Sequence, residues 1–152
     1  MATKGQIPIA GMIVFAIIAF IGFADSVYLT ASHYMGEVPT CTVVEGCDEV
    51  AISEYSTIAE IPVALFGSAF YLLMIVLAFV WFDMRKTVVI KLLPLFTVPA
   101  FIFSGWLIYV MFYLIEAICI FCLISAGTTT MLMILSLVFY KKLMPGNTAA
   151  SM

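Results

Sequence analysis

The sequence predicts an all-α membrane protein, a single bundle of four transmembrane helices, and three observations carry that expectation. Of its 152 residues, 65% are apolar or aromatic and only 10% are charged. Soluble domains average about 45–50% apolar and about 25% charged, so a water-soluble globule would lack polar surface. Four uncharged stretches, Ile7–Ala24, Ile61–Phe82, Leu92–Ile115 and Ala117–Tyr140, reach or approach the roughly 20 residues that span a bilayer core of about 30 Å. All six Lys and Arg residues fall in alternate connections: Lys4, then Arg85, Lys86 and Lys91, then Lys141 and Lys142. The positive-inside rule then predicts that both termini and the Asp83–Lys91 connection are cytoplasmic, with one long extracytoplasmic loop between helices one and two. The helices are expected at about 7–34, 61–82, 92–113 and 117–140, and the outer loop at 35–60. No stretch remains for a separate soluble catalytic domain, so residues 1–152 read as one integral membrane domain.

The first apolar stretch is read as a retained signal anchor and not a cleaved signal peptide. Its flank holds a single lysine, its apolar run is long, and Asp25 stands where a small-residue cleavage site would be. Its helix is expected to continue past Asp25 through Val27, Tyr28 and Leu29 towards His33. Asp25 is an interfacial residue if shallow and a functional acid if deep. The loop that follows is acidic, with Glu37, Glu45, Asp48, Glu49, Glu54 and Glu60. It reads as a solvated face or as a docking surface for a partner. Pro62 opens the second helix, where its missing N–H does no harm, and Asp83-Met-Arg-Lys makes a short turn. Pro94 and Pro99 fall within the third helix, where neighbouring helices tolerate kinks. The short Tyr113–Glu116 connection makes helices three and four an antiparallel hairpin. Gly67, Ser68, Ala69, Gly105, Ser125, Ala126 and Gly127 are candidates for close helix contact.

There is no phosphate-binding glycine loop, no Ser/His/Asp arrangement and no basic nucleic-acid patch. One His without paired carboxylate spacing argues against a metal site. The chemistry is expected at the four cysteines. Cys41 and Cys47 lie in the outer loop, and Cys119-Ile-Phe-Cys122 opens the last helix just past the outer turn. All four therefore face the side where disulfides persist. A CxxC on a first helical turn puts both sulfurs on one face, and the helix N-terminus lowers the pKa of the first thiol. Glu116, three residues earlier, either opposes that effect or caps the helix. Cys119 is then the exchange thiol, and Cys122, one turn deeper, meets a lipid-dissolved oxidant. Thiolate attack on a disulfide lets electrons pass from an outside thiol to Cys41–Cys47, then to Cys119–Cys122, then to a membrane carrier. A four-pass scaffold or interaction protein with inert structural disulfides is the alternative.

With these residues in view, the sequence resembles the vitamin K epoxide reductase family, most closely its prokaryotic homologues. The resemblance rests on Cys47-Asp48 in the loop, CxxC at the outer mouth of the last helix, and three further segments. These are Ala24-Asp25-Ser26-Val27-Tyr28-Leu29-Thr30, Ser53-Glu54-Tyr55-Ser56-Thr57 and Ile61-Pro62-Val63-Ala64-Leu65-Phe66-Gly67. It covers roughly Ile13 to Tyr140. Disulfide-bond formation protein B shares the quinone logic, but carries its two cysteine pairs in the reverse order. The family resemblance implies a bundle surrounding a quinone, menaquinone or ubiquinone, with no metal. It places Cys122 closest to the ring, with Val63, Phe66 and Ala126 around it. Cys119 would exchange with Cys47, Cys41 would meet the partner, and Ser53 matches a hydroxyl implicated in electron transfer. Animal members have Asn and Tyr against the vitamin K head group where this chain has Val63 and Ala126, which favours plain quinone reduction over epoxide reduction. Many bacterial members carry a fused thioredoxin-like domain that this sequence lacks, so the implied partner is a separate thioredoxin-fold, DsbA-like protein. The implied activity is that of a cell-membrane, quinone-dependent oxidoreductase supporting disulfide formation.

Overall fold

The computed structural model describes residues 7–37 and 46–143. Its first helix, α1 (Ile9–Met35), runs through Asp25 and past His33 before Gly36 ends it in the left-handed region at φ 68°. The N–H groups of Gly36 and Glu37 satisfy the carbonyls of His33 and Ser32, a glycine C-cap of the usual kind. The loop then holds a short helix α2 (Cys47–Ile52), a 3-10 turn (Glu54–Ser56) and a small antiparallel hairpin of β1 (Thr57–Ile58) and β2 (Ile61–Pro62). Helices α3 (Val63–Met84), α4 (Thr87–Val110) and α5 (Ile120–Leu143) complete the bundle. A π-helical turn, Met111–Ile115, prolongs α4. The four long helices are each long and apolar enough to cross a membrane, and the chain is a multi-pass membrane protein.

Several boundaries differ from the sequence reading. Pro62 is the extended residue ahead of α3, not part of its first turn. Arg85, left-handed at φ 51°, ends α3 by donating its N–H to the Trp81 carbonyl at 2.9 Å. Its guanidinium then lies 4.8 Å from the Trp81 ring centre. Only Arg85 and Lys86 separate α3 from α4, so α4 starts at Thr87 and not near residue 92. Lys91, expected in the connection, is on the exposed face of the α4 helix. A lysine need not end a membrane helix, because its long stem carries the ammonium outward.

Helix α1 packs on α3 and α5, and α4 packs on α5. The centre is filled by Met12, Phe15, Tyr71, Met74, Leu93 and Leu132. Apolar burial drives little association among lipid tails, so close packing and hydrogen bonds between helices decide the arrangement. Thr97 and Ser136 join α4 to α5 through hydroxyls 2.8 Å apart. The Tyr71 hydroxyl joins α3 to α5, lying within 2.8 Å of the Ser125 carbonyl and of the Thr128 and Thr129 hydroxyls. Of the small residues singled out in the sequence, Gly67 does sit at a close contact, a Cβ there falling 3.6 Å from that of Ser26. Gly105 and Gly127 face open space, because they lie on the outer surface of their helices. The tightest approach is at Gly22, where any Cβ would fall 2.3 Å from the Tyr71 ring.

Candidate active site

The loop end of the bundle encloses a cavity of about 1060 Å³, at the upper end of the roughly 300–1,000 Å³ of small-molecule pockets. Its walls are the last turns of α1, the first turns of α3 and α5, and the end of α4, while α2 and the hairpin close it. Tyr55 of the 3-10 turn seats on Trp106 of α4 at 6.4 Å between ring centres, edge to face. That contact holds the loop across the bundle mouth.

One glycine brings the loop cysteine to the helix cysteines. Gly46 has φ 134°, and a Cβ there would lie 3.2 Å from the Ile118 nitrogen and 3.3 Å from the Ala117 Cβ. Backbone therefore rests directly on backbone, and the next residue, Cys47, falls into a buried cluster with Met111 and Cys119. Cys47 is 1% exposed and Cys119 2%, so both sulfurs are shielded from bulk water. Cys47 is disulfide-bonded, whereas Cys119 and Cys122 are free thiols. Cys41 lies outside the described residues.

Cys119 immediately precedes α5 and acts as its cap. Its carbonyl accepts the Leu123 N–H at 3.2 Å, and its Sγ accepts the Cys122 N–H at 3.4 Å, as an oxygen does at an ordinary N-cap. Its own N–H donates to the Met111 Sδ at 3.4 Å, a contact made possible by the π-helical turn that carries Met111. The Cys122 thiol hydrogen bond, aided by the backbone N–H groups of Cys122 and Phe121, holds the Cys119 pKa down to about 7 against burial and the Asp25 charge. Glu116, which could have capped the helix, is exposed and left-handed at φ 56°. The sulfur of Cys119 does the capping instead. The result is a thiol with substantial anionic character at neutral pH, packed beside a disulfide-bonded cysteine. That pairing is what exchange through a mixed disulfide requires.

Cys47, Cys119 and Cys122 all line the cavity. So do Ser53, Val63, Phe66 and Ala126, which the sequence had singled out. Ser53 terminates α2, its hydroxyl donating to the Val50 carbonyl at 2.8 Å. Val63 is half-buried, Phe66 is exposed at the mouth and Ala126 is buried. Tyr71 and Thr129, not singled out in the sequence, and Ser125, singled out only for close helix contact, add hydroxyls to the cavity lining. Four hydroxyl residues within six positions, Ser125 and Thr128 to Thr130, in a mostly apolar helix were the available signal. Among the described residues no three His, Cys, Asp or Glu side chains converge as a metal site would need.

The chamber is mostly apolar, with the two thiols of Cys119 and Cys122 on its wall. The family model described as the Vitamin K epoxide reductase family matches residues 13–137. A comparison with curated proteins finds no match.

Proposed function

This chain belongs to the vitamin K epoxide reductase family, which makes it a membrane oxidoreductase, and we propose that it oxidises an extracytoplasmic thioredoxin-fold dithiol and reduces a membrane quinone. The observation that carries the reading is the single cavity shared by a disulfide-bonded Cys47 and the free Cys119 and Cys122. The family uses quinone, and the cavity suits one: Val63, Phe66 and Ala126 offer apolar contact, and Cys122 borders the space. When bound, the quinone supplies a two-electron, two-proton acceptor.

The chain's own residues carry the remaining steps. Cys41 accepts attack by the partner thiolate, giving a mixed disulfide that a second partner thiol resolves, which leaves Cys41 and Cys47 reduced. The Cys47 thiolate next attacks an oxidised Cys119–Cys122 pair at Cys119, and Cys41 resolves that bond. The loop pair is again a disulfide and the CxxC now holds two electrons. Burial of Cys47 and Cys119 keeps water and stray thiols from the exchange. In this reading Ser53 ends α2, the short helix that Cys47 opens, and the separate partner, a DsbA-like protein, reaches Cys41 from outside.

Purified protein in detergent should reoxidise a reduced thioredoxin-like protein when quinone is added. Cys122→Ala should abolish quinone reduction. Failure of the wild type with several quinones and partners, or unimpaired quinone reduction by Cys122→Ala, would sink the proposal.

A further inference from the structure

Asp25 is the only Asp, Glu, Lys or Arg in α1, and neither Val63–Phe82 nor Ile120–Tyr140 contains another. Its Oδ2 is sealed from solvent and has no hydrogen-bond partner in the structure. An unpaired carboxylate oxygen at this depth is costly, and such groups persist chiefly where they do something. Its surroundings point to the redox pair. One turn nearer the loop, Tyr28 packs on Phe121, between the two cysteines of the CxxC, at 5.2 Å between ring centres. The adjacent Ser26 is buried and lines the cavity, its hydroxyl turned back to the Phe23 carbonyl at 3.0 Å. The charge of Asp25 is felt at Cys119, where it pushes the thiol pKa up. From the elements packed on α1, the titratable groups at this level are Cys119 and Cys122 on the α5 side and Tyr71 on α3. Tyr28 is the neighbour on α1 itself. The Tyr71 hydroxyl is already engaged by Ser125, Thr128 and Thr129. The thiols are therefore the exchangeable groups left for the carboxylate to serve.

We propose that Asp25 is the proton carrier of the Cys119–Cys122 pair. The role rests on the quinone reduction proposed above and specifies where one of its protons goes. As the pair is oxidised, an S–S bond forms between the Cys119 thiolate and Cys122, and the Cys122 S–H bond breaks. Two electrons leave to the quinone and the Cys122 proton passes to the Asp25 carboxylate. Asp25 returns to its anionic form by giving that proton to one ring oxygen, and a second proton from the aqueous side completes the quinol. Asp25 therefore ends each turnover unchanged.

The test uses full-length protein carrying Asp25→Asn, similar in size and unable to carry the proton, with Asp25→Glu as the conservative variant. Three quantities are measured: the pH profile of Cys119 alkylation in the reduced protein without quinone, the oxidation of a small dithiol by the oxidised protein, and the rate of quinone reduction. For Asp25→Asn the alkylation midpoint should move to lower pH, because a repelling charge has gone. Dithiol oxidation should stay within about twofold of wild type, and quinone reduction should fall at least tenfold, with partial recovery in Asp25→Glu. Asp25→Asn protein that reduces quinone at the wild-type rate overturns the role, as does an equal fall in dithiol oxidation and quinone reduction. An unmoved alkylation profile also overturns it. Wild-type protein that reduces no quinone overturns the function reading itself, and this role with it.

Discussion

At Cys119 a single side chain sets the reactivity of the site. The lowering to about 7 comes first from the Cys122 thiol and then from two backbone N–H groups, and burial and Asp25 work against it. Only the thiolate attacks a disulfide, so the sign is fixed: the reactive fraction rises as pH climbs through 7, and well below 7 it falls about tenfold for each pH unit. Alkylation of Cys119 in the reduced protein, by a small apolar reagent able to enter the cavity that Cys119 lines, should follow that curve. In Cys122→Ala the midpoint should shift upward toward an ordinary thiol, because the largest lowering cause is gone. A midpoint that stays put would show that the backbone groups suffice. Gly46 matters as much for position as Cys119 does for reactivity. A valine there would have to hold φ near 134° and place its Cβ 3.2 Å from the Ile118 nitrogen. Relief requires α2 to lift away, taking Cys47 with it, and overpacking of this kind costs about 1–3 kcal/mol. The expected result for Gly46→Val is a sharp loss of the Cys47–Cys119 mixed disulfide trapped in a Cys41→Ala, Cys122→Ala background, with the four long helices retained by circular dichroism.

At the level of elements, the long helices and the loop differ in how much of them the sequence discloses. Apolar runs announce α1, α3, α4 and α5, since an uncharged run of about 20 residues can satisfy its own backbone groups in lipid only as a helix. The helix ends shift by a few residues because caps such as Gly36 and Arg85 act through local dihedrals and not through hydropathy. The hairpin was illegible for a different reason. Its two central residues, Ala59 and Glu60, have φ 52° and 68°, a conformation that hairpin turns usually assign to Asn or Gly. Two-residue strands also leave no alternation to read. What holds this strained turn in place is tertiary, and the Tyr55–Trp106 contact is its clearest anchor. Aromatic pairs of this kind contribute about 0.5–1.5 kcal/mol beyond their buried area. Tyr55→Ala should therefore speed amide hydrogen exchange across 47–58 while leaving α3 and α5 protected; equal protection in mutant and wild type would count against the clasp. Gly22 acts in the bundle itself. Gly22→Val should lower thermal stability, since α1 must retreat from the Tyr71 ring.

Over the whole molecule, the site residues named from sequence gather on one cavity, apart from Cys41, which is not described. Cysteines identify themselves by rarity and spacing. The hydroxyl cluster around Tyr71 did not, because Ser and Thr in a membrane helix often do no more than bond back to their own carbonyls, as Thr130 does to Ala126 here. Chain order gives the molecule its polarity. Helices α3 and α5 both start at the cavity end and finish at the opposite end, so Arg85, Lys86, Lys141 and Lys142 all gather away from Cys47, Cys119 and Cys122. A bundle with basic residues at one end and thiols at the other has only one orientation that obeys the positive-inside rule. Under the proposed function, that orientation would also give the thiols an oxidising compartment. In intact cells, a membrane-impermeant thiol reagent applied after mild reduction should label Cys41, the loop cysteine proposed to meet the partner, and a tag at the C-terminus should react only once the membrane is opened. Labelling of the tag from outside would place the CxxC in the reducing cytoplasm. Glutathione would then compete with any partner, and the proposed direction of electron flow would lose its basis.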